Sequence, residues 1–255
     1  MKTVLVTGAS SGIGEATCVH LRDRGWRVLA GVRRAGSAPE GTEELLLDVT
    51  DPPALEFATL DGLVDNAGVA QAGPLEFLPL DALREQLEVN VVGQLAVLQR
   101  VLPALRRARG RVVIMGSVSG VSSLPLLGAY AMSKFALEAM ADALRIELAP
   151  WGIHVSLIEP GSIKTPMWTR ERPDPTPEVL ALYGERLAAL RRAVAARGPR
   201  QMPPSLVAQA VEHALTAAKP KPRYLVGRDA KLRKRVESLP TRVRDRILER
   251  LLFRA

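Results

Sequence analysis

The stretch TGASSGIG at residues 7–14 constrains the fold most, because it follows an apolar segment and precedes an amphipathic one. Residues 2–7 are rich in β-branched side chains and predict a strand, and the spacing of apolar residues over 12–24 predicts a helix. Three glycines of this turn can adopt positive φ and let a phosphate approach the backbone: Gly8, Gly12 and Gly14. The free N–H groups of the helix start would attract that phosphate. A strand, glycine-rich turn and helix in this order predict a dinucleotide-binding unit, and an ordinary glycine-rich turn is the alternative.

Apolar strands alternate with helical stretches along the rest of the chain. The remaining predicted strands are Trp26–Val32, Leu45–Val49, Gly62–Asn66, Arg111–Gly116, Ile153–Glu159 and Arg223–Val226. Helices are predicted over 80–88, 91–108, 128–150 and much of 166–218, and at the basic C-terminal end. This alternation predicts an α/β fold with a parallel sheet covered on both faces. No internal repeat or low-complexity linker divides the chain, so a single domain is expected.

Composition restricts the class of protein further. The 255 residues are 47% hydrophobic, enough for one large core, and Cys18 is the only cysteine. One cysteine can form no internal disulfide and no zinc motif, which favours a reducing, cytoplasmic location. Neither a secretory signal nor an apolar run long enough to span a membrane is recognisable.

The positive charge is concentrated at the C-terminus. Of 35 Lys and Arg residues, 13 lie from Lys219 onward, against 4 of the 27 Asp and Glu residues, so the net charge of +8 belongs to this end. Residues 229–255 predict a basic amphipathic helix, which could lie on an acidic membrane surface, pack on a neighbouring subunit or cover this subunit's own site. A nucleic-acid partner is not expected, because only the tail charge favours one and aromatic residues amount to 4%.

Further motifs follow the glycine-rich turn in a fixed order. They are DNAG at 65–68, Asn90, Ser117 within MGSVSG, Tyr130 and Lys134 within YAMSK, and PGSIKT at 160–165. Tyr130 and Lys134 are four residues apart and share one helix face. Together these motifs resemble the short-chain dehydrogenase/reductase family over residues 2–166, with a plausible remainder to 227. The resemblance implies a Rossmann-type doubly wound parallel sheet of strand order 3-2-1-4-5-6-7 in three layers, α/β/α, over residues 1–227.

The resemblance also assigns catalytic roles. It makes Tyr130 the general acid/base and Lys134 the cation that lowers the phenol's pKa and binds the nicotinamide ribose. Ser117 would hydrogen-bond the substrate oxygen. Asn90 would hold the helix geometry and a water that feeds protons to Lys134. No metal is expected to take part.

The cofactor residues implied by the resemblance surround the ends of the strands. They are Gly8, Ser10, Ser11, Gly12, Ile13, Gly14, Arg33, Arg34, Asp48, Val49, Asn66, Ala67, Gly68, Tyr130, Lys134, Pro160, Gly161, Ile163 and Thr165. NAD-preferring members of the family usually carry an acidic residue at the end of the second strand, where this chain has Arg33 and Arg34. An arginine there can pair with a 2′-phosphate, which favours NADP over NAD. A solvated loop is the alternative for these arginines.

Two departures from the family pattern stand out. Asp65 occupies the position where the family usually has the first Asn of Asn-Asn-Ala-Gly. Only 17 residues separate Asp48 from Asn66, so the crossover between the third and fourth strands must be short, with a helix expected near 52–58.

The remaining segments predict the class of substrate and the assembly of subunits. The family's substrate loop corresponds to residues 166–204, which are rich in Leu and Ala and, with Leu124–Leu127, favour a lipophilic alcohol or carbonyl compound. Helices near 81–106 and 130–148 pair between subunits in this family, so a homodimer or homotetramer is expected. The alternatives are an NAD-dependent alcohol or hydroxysteroid-type dehydrogenase and a dinucleotide-binding sensor without catalysis.

Overall fold

A computed structural model describes residues 1–168, 174–197 and 201–253. Its centre is a sheet of seven parallel strands in the order β3-β2-β1-β4-β5-β6-β7, which confirms the predicted topology. The strands are β1 (Thr3–Thr7), β2 (Arg27–Val32), β3 (Glu43–Leu46), β4 (Gly62–Asp65), β5 (Arg111–Met115), β6 (His154–Pro160) and β7 (Arg223–Val226). The order reverses between β1 and β4, so the carboxyl ends of these strands form the crevice in which ligands bind in such sheets.

Helices connect most of the strands and extend the chain beyond β7. They are α1 (Gly12–Asp23), α2 (Leu80–Leu87), α3 (Gly93–Ala108), α4 (Gly128–Glu147), α5 (Pro177–Arg197), α6 (Ser205–Thr216), α7 (Arg228–Glu237) and α8 (Thr241–Phe253). One π-helical turn, Glu88–Val92, joins α2 to α3 without a break in the helical path.

Alternate side chains of the sheet build two cores. Val4 and Val6 of β1 point to the face covered by α1 and α6, where they pack with the apolar side chains of both helices. Leu5 points to the opposite face, covered by α3 and α4. Both faces are therefore buried, which explains why the strands are nearly continuous runs of apolar residues.

The crossover between β3 and β4 differs from its prediction. β3 ends at Leu46, so Asp48 and Val49 follow the strand, and residues 47–61 contain no helix. Pro52 and Pro53 contribute no backbone N–H, and each disfavours helical geometry in the residue before it. The extended path still closes the fold, because Val49 is buried against the start of α3.

The C-terminal extension packs on its own chain. α8 lies against α5, with Leu252 buried and the guanidinium of Arg186 4.8 Å from the ring centre of Phe253. α7 contacts β7 and the turn Val118–Gly120. Four apolar side chains of the extension remain exposed: Leu232, Leu239, Val243 and Leu251. Among the described residues, every helix falls short of the length and apolar content needed to cross a bilayer.

Candidate active site

Four polar side chains that resemble catalytic residues are buried at the carboxyl ends of the central strands. Ser117 follows β5 by two residues, Tyr130 and Lys134 lie in the first turns of α4, and Asn90 lies in the π-helical turn. Their exposed fractions are 9%, 7%, 3% and 0% in that order. Polar groups buried in this way need specific partners, because an unpaired one costs free energy.

The environment of Tyr130 combines burial with nearby polar and charged groups. Burial raises the pKa of the phenol, while a hydrogen bond with Ser117 and the positive charge of Arg233 lower it. Lys134 Nζ lies 5.7 Å from the Tyr130 ring centre and donates to the carbonyl of Met115 at 2.8 Å. Arg233 of α7 therefore lowers the pKa of the phenol, but burial outweighs this effect.

Burial also shifts the pKa of Lys134. The pKa of its ammonium falls from 10.5 to about 8 because of desolvation, and the charge of Asp65 opposes that fall. Asp65 is fully enclosed at the end of β4, and burial raises the pKa of its carboxyl well above the usual range. Asp65, the residue that departs from the family pattern, thus interacts electrostatically with Lys134.

Asn90 fixes the start of the catalytic helix. Its Oδ1 accepts from the backbone N–H of Val69 at 2.8 Å, and its Nδ2 donates to the Val69 carbonyl at 2.9 Å and to Ser133 Oγ at 3.0 Å. Ser133 Oγ donates to the carbonyl of Tyr130 at 2.7 Å. This chain of bonds ties the π-helical turn to the backbone of Tyr130.

Thr7 organises the segment after β4, a role that the sequence reading missed. Its fully buried hydroxyl accepts from the N–H groups of Asn66 at 2.8 Å and Ala67 at 2.9 Å, and donates to Asp65 at 3.1 Å. Asn66 Nδ2 donates to the Thr7 carbonyl at 2.9 Å. Gly68 lies beside Asn90, with an ideal Cβ 3.2 Å from Oδ1. The sequence signal for this role was the hydroxyl-bearing residue Thr7, which stands immediately before the first glycine of the turn.

The glycine-rich turn has the close packing that a dinucleotide site needs. Gly8 and Gly12 have φ values of +63° and +62°, which favour glycine. Gly14 lies inside α1 with ordinary φ, and glycine is required there because a Cβ would lie 2.2 Å from the Gly8 carbonyl. Ser10 is exposed, and Ser11 and Ile13 are half-buried, at the N-terminus of α1.

The segment after β6 faces this turn. A Cβ on Gly12 would lie 3.3 Å from the Thr165 side chain, so the two segments border the same space. Pro160 ends β6, the N–H of Gly161 donates to the carbonyl of Val226 at 2.9 Å, and Ile163 is buried. The resulting cradle fits the pyrophosphate and carboxamide ends of a dinucleotide.

Charged residues mark the opposite end of the crevice. Arg33 and Arg34 are exposed directly after β2. Asp48 accepts from the N–H and hydroxyl of Thr50 at 3.0 and 2.8 Å, and these bonds and the charge of Arg33 lower its pKa.

A groove of about 620 Å³ lies beside the loop that follows Ser117. Its lining mixes apolar and charged side chains from this loop, the 74–76 segment, α5 and α8: Pro74, Leu75, Glu76, Pro125, Leu126, Leu182, Tyr183, Arg186 and Phe253. Tyr183 donates to Glu76 at 2.7 Å across it. Within the described residues, no group of three or more His, Cys, Asp or Glu side chains could hold a metal ion.

These features define an α/β protein with a dinucleotide crevice and a Ser–Tyr–Lys set beside it. A family model described as short chain dehydrogenase matches residues 2–176. The chain belongs to the short-chain dehydrogenase/reductase family, whose members are nicotinamide-dependent oxidoreductases, as the sequence motifs predicted.

Relatives of full length support the same assignment. The chain is 36% identical to the NADPH-dependent 3-dehydrocapnine reductase of Ornithobacterium rhinotracheale, covering 100% of this chain and 97% of that protein. It is 37% identical to mouse retinol dehydrogenase 5, covering 98% of this chain and 89% of that protein.

Solved structures share the fold. A short-chain dehydrogenase from Streptomyces avermitilis superposes with a TM-score of 0.79 at 29% identity, covering 98% of this chain and 95% of that one. A Burkholderia cenocepacia short-chain dehydrogenase, solved in complex with NADP, has a TM-score of 0.77 at 25% identity and coverages of 97% and 99%.

Proposed function

We propose that this protein is an NADP(H)-dependent oxidoreductase that interconverts an alcohol and its ketone or aldehyde, with Tyr130 as the general acid/base. The observation that carries the proposal is the burial of Ser117, Tyr130 and Lys134 together beside the glycine-rich turn. A protein that only senses the dinucleotide would have no use for this set, which argues against a catalytically silent role.

The bound cofactor supplies or accepts a hydride at the reacting carbon. Side chains of the protein bind the reacting oxygen of the substrate and transfer the proton. In reduction, the hydroxyls of Ser117 and Tyr130 hydrogen-bond the carbonyl oxygen, and Tyr130 transfers its proton to that oxygen as the alcohol forms. Because burial raises its pKa, the Tyr130 phenol carries the proton to be transferred at neutral pH.

Lys134 has two tasks in this scheme. Its ammonium binds the ribose hydroxyls and stabilises the Tyr130 phenolate left after proton transfer. Asn90 keeps α4 in place for both, through Val69 and Ser133. The predicted water that feeds protons to Lys134 remains part of the proposal.

NADP is the proposed cofactor on the strength of the exposed pair Arg33 and Arg34. Neither position directly after β2 is acidic, and a guanidinium can bind a 2′-phosphate with two hydrogen bonds. The name of the Ornithobacterium relative and the NADP complex of the Burkholderia protein support this choice.

A lipophilic substrate is proposed for the groove between the Ser117 loop and α5. Leu75, Leu126, Leu182 and Phe253 provide apolar surface there. The retinol dehydrogenase relative supports a substrate of this kind. Residues 1–227 would form the catalytic domain, and the extension from residue 228 onward would complete it.

Assembly and location are further parts of the proposal. Phe135 and Ile146 of α4 are 45% and 75% exposed, and Val92 before α3 is 50% exposed. Burial of these side chains between subunits would favour a homodimer or homotetramer, which light scattering after size exclusion would test. The buried single thiol of Cys18 is compatible with the predicted cytoplasmic location.

The test is turnover with a panel of aliphatic, aromatic and steroidal ketones, followed by absorbance of the reduced nicotinamide. NADPH should support a higher kcat/KM than NADH, and Arg33→Asp should reverse or abolish that preference. Arg242→Asp is the matched control, because Arg242 is exposed on α8. Equal kcat/KM for both cofactors, unchanged in Arg33→Asp, would refute the NADP assignment.

A further inference from the structure

Helix α7 of the C-terminal extension is docked against the active site. Asp229 in its first turn accepts from the backbone N–H of Ser162 at 2.7 Å, beside the turn that would hold the nicotinamide. Ala230 is fully buried. A Cβ on Gly161 would lie 2.2 Å from Asp229 Oδ1, so the helix and the turn are in close contact.

Arg233 lies one turn further along the same face of α7. Its half-buried guanidinium donates to the carbonyl of Ser122, a buried residue of the loop that begins at Ser117. Its positive charge acts on the phenol of Tyr130. The extension therefore brings a cation into the neighbourhood of the reacting group.

Arg233 contacts the loop that lies between Ser117 and the groove. The loop runs from Ser117, which would bind the reacting oxygen, through Ser122 to Pro125 and Leu126, which line the groove. The cofactor cradle is formed by other segments, namely the glycine-rich turn and the strand ends described above. Arg233 is thus anchored midway along the loop that connects the reaction centre with the groove.

A guanidinium in this place suits a particular substrate chemistry. Its planar fork donates to two oxygens of an oxyacid group at once, and such charge-assisted bonds are about twice as strong as neutral ones. An anionic substrate would otherwise destabilise charge developing on the carbonyl oxygen and on Tyr130, and a nearby cation offsets that repulsion. A neutral ketone gains little from it.

We infer that Arg233 binds an anionic oxyacid group, a carboxylate, sulfonate or phosphate, carried by the substrate near its reacting carbon. This inference rests on the proposed function and narrows its substrate class to anionic keto or hydroxy compounds. With the apolar part of the groove, the preferred substrate is an amphiphile whose charged end lies beside Arg233.

The test compares a keto acid with its neutral ester, 4-oxodecanoate and methyl 4-oxodecanoate, in wild-type protein and Arg233→Gln with NADPH. Loss of a charged hydrogen-bonding pair predicts a fall in kcat/KM of about 10- to 100-fold for the acid and less than about threefold for the ester. Arg233→Lys should restore part of the loss. Arg235→Gln, an exposed arginine on the same helix, is the control with the same charge change.

Direct binding gives a readout that does not need turnover. Calorimetry should show that Arg233→Gln binds 4-oxodecanoate about 10- to 100-fold more weakly than wild type does, while its NADPH affinity is unchanged. The inference would be overturned if Arg233→Gln lowered kcat/KM equally for the acid and the ester, or did not lower it for the acid. Arg233 would then act on Tyr130 or on helix docking alone. If wild-type protein reduces the ester and Tyr130→Phe does not, the proposed function stands whatever Arg233 does.

Discussion

Glu159, the next-to-last residue of β6, gives a sharp prediction about stability. Its side chain is fully buried, and its carboxyl lies beside the carboxyl of Glu138, a second acidic group. Burial and the neighbouring carboxyl of Glu138 together raise its pKa from 4.5 to about 7, against the lowering effect of Lys234 and Arg223. The folded protein therefore holds a proton that the unfolded chain releases.

The sign and size of the effect follow from linkage. Because the folded-state pKa lies above the unfolded one, stability is lost as the pH rises from 4.5 to about 7. The difference between the two pKa values corresponds to about 3 kcal/mol. Glu159→Gln keeps the shape of the protonated side chain and cannot ionise. It should match wild type within about 1 kcal/mol near pH 5 and exceed it by about 3 kcal/mol near pH 8.

Urea unfolding at both pH values measures this difference. Glu147→Gln serves as the control, since Glu147 is exposed on α4 and its replacement should change stability by less than about 0.5 kcal/mol at either pH. The reasoning would be refuted if Glu159→Gln were no more stable than wild type near pH 8, or if its effect were the same at both pH values.

Other predictions follow from single features. Burial raises the pKa of Cys18 to about 12, so iodoacetamide should alkylate it only after unfolding; rapid alkylation of folded protein would contradict this. Gly14→Ala should weaken NADPH binding and reduce stability, because its Cβ meets the Gly8 carbonyl; unchanged affinity and melting temperature would count against the cradle. The Lys134 pKa of about 8 predicts that NADPH affinity falls as pH rises past that value, and a flat titration would exclude a role for its charge. Membrane contact through residues 229–255 predicts binding to anionic vesicles that is lost in Leu232→Ser plus Leu251→Ser; absence of binding by wild type would reject it.

The strands of the parallel sheet were predictable because the apolar composition of each strand is visible in its own short segment of sequence. Strands with both faces buried are continuously apolar, and β7 matched its predicted bounds, Arg223–Val226. The strand order came from family resemblance, since pairing between distant strands leaves no periodic signal. The crossover helix near 52–58 was wrong because chain length alone permits a helix, whereas Pro52 and Pro53 and the docking of Val49 favour an extended path.

The candidate site likewise combines residues that the sequence marks with residues that only the tertiary fold brings there. Motif residues such as Ser117, Tyr130 and Lys134 meet because each lies at a strand end or helix start that the sequence marks. Asp229 and Arg233 belong to a segment for which the sequence left three alternatives open: a membrane surface, a neighbouring subunit or this subunit's own site. Only the tertiary fold shows that α7 lies against the Ser162 backbone and the loop after Ser117. Long-range docking of this kind has no signature in one sequence.

The central claim is that Tyr130 performs acid/base chemistry on a substrate reduced by NADPH. The most direct test is NADPH oxidation by wild type and Tyr130→Phe with the same ketone, alongside NADPH affinity measured by fluorescence. Loss of the phenolic proton should reduce kcat by at least about 100-fold, within the usual contribution of a general acid, while NADPH affinity stays within a few-fold of wild type. Turnover by Tyr130→Phe at the wild-type rate would contradict the account.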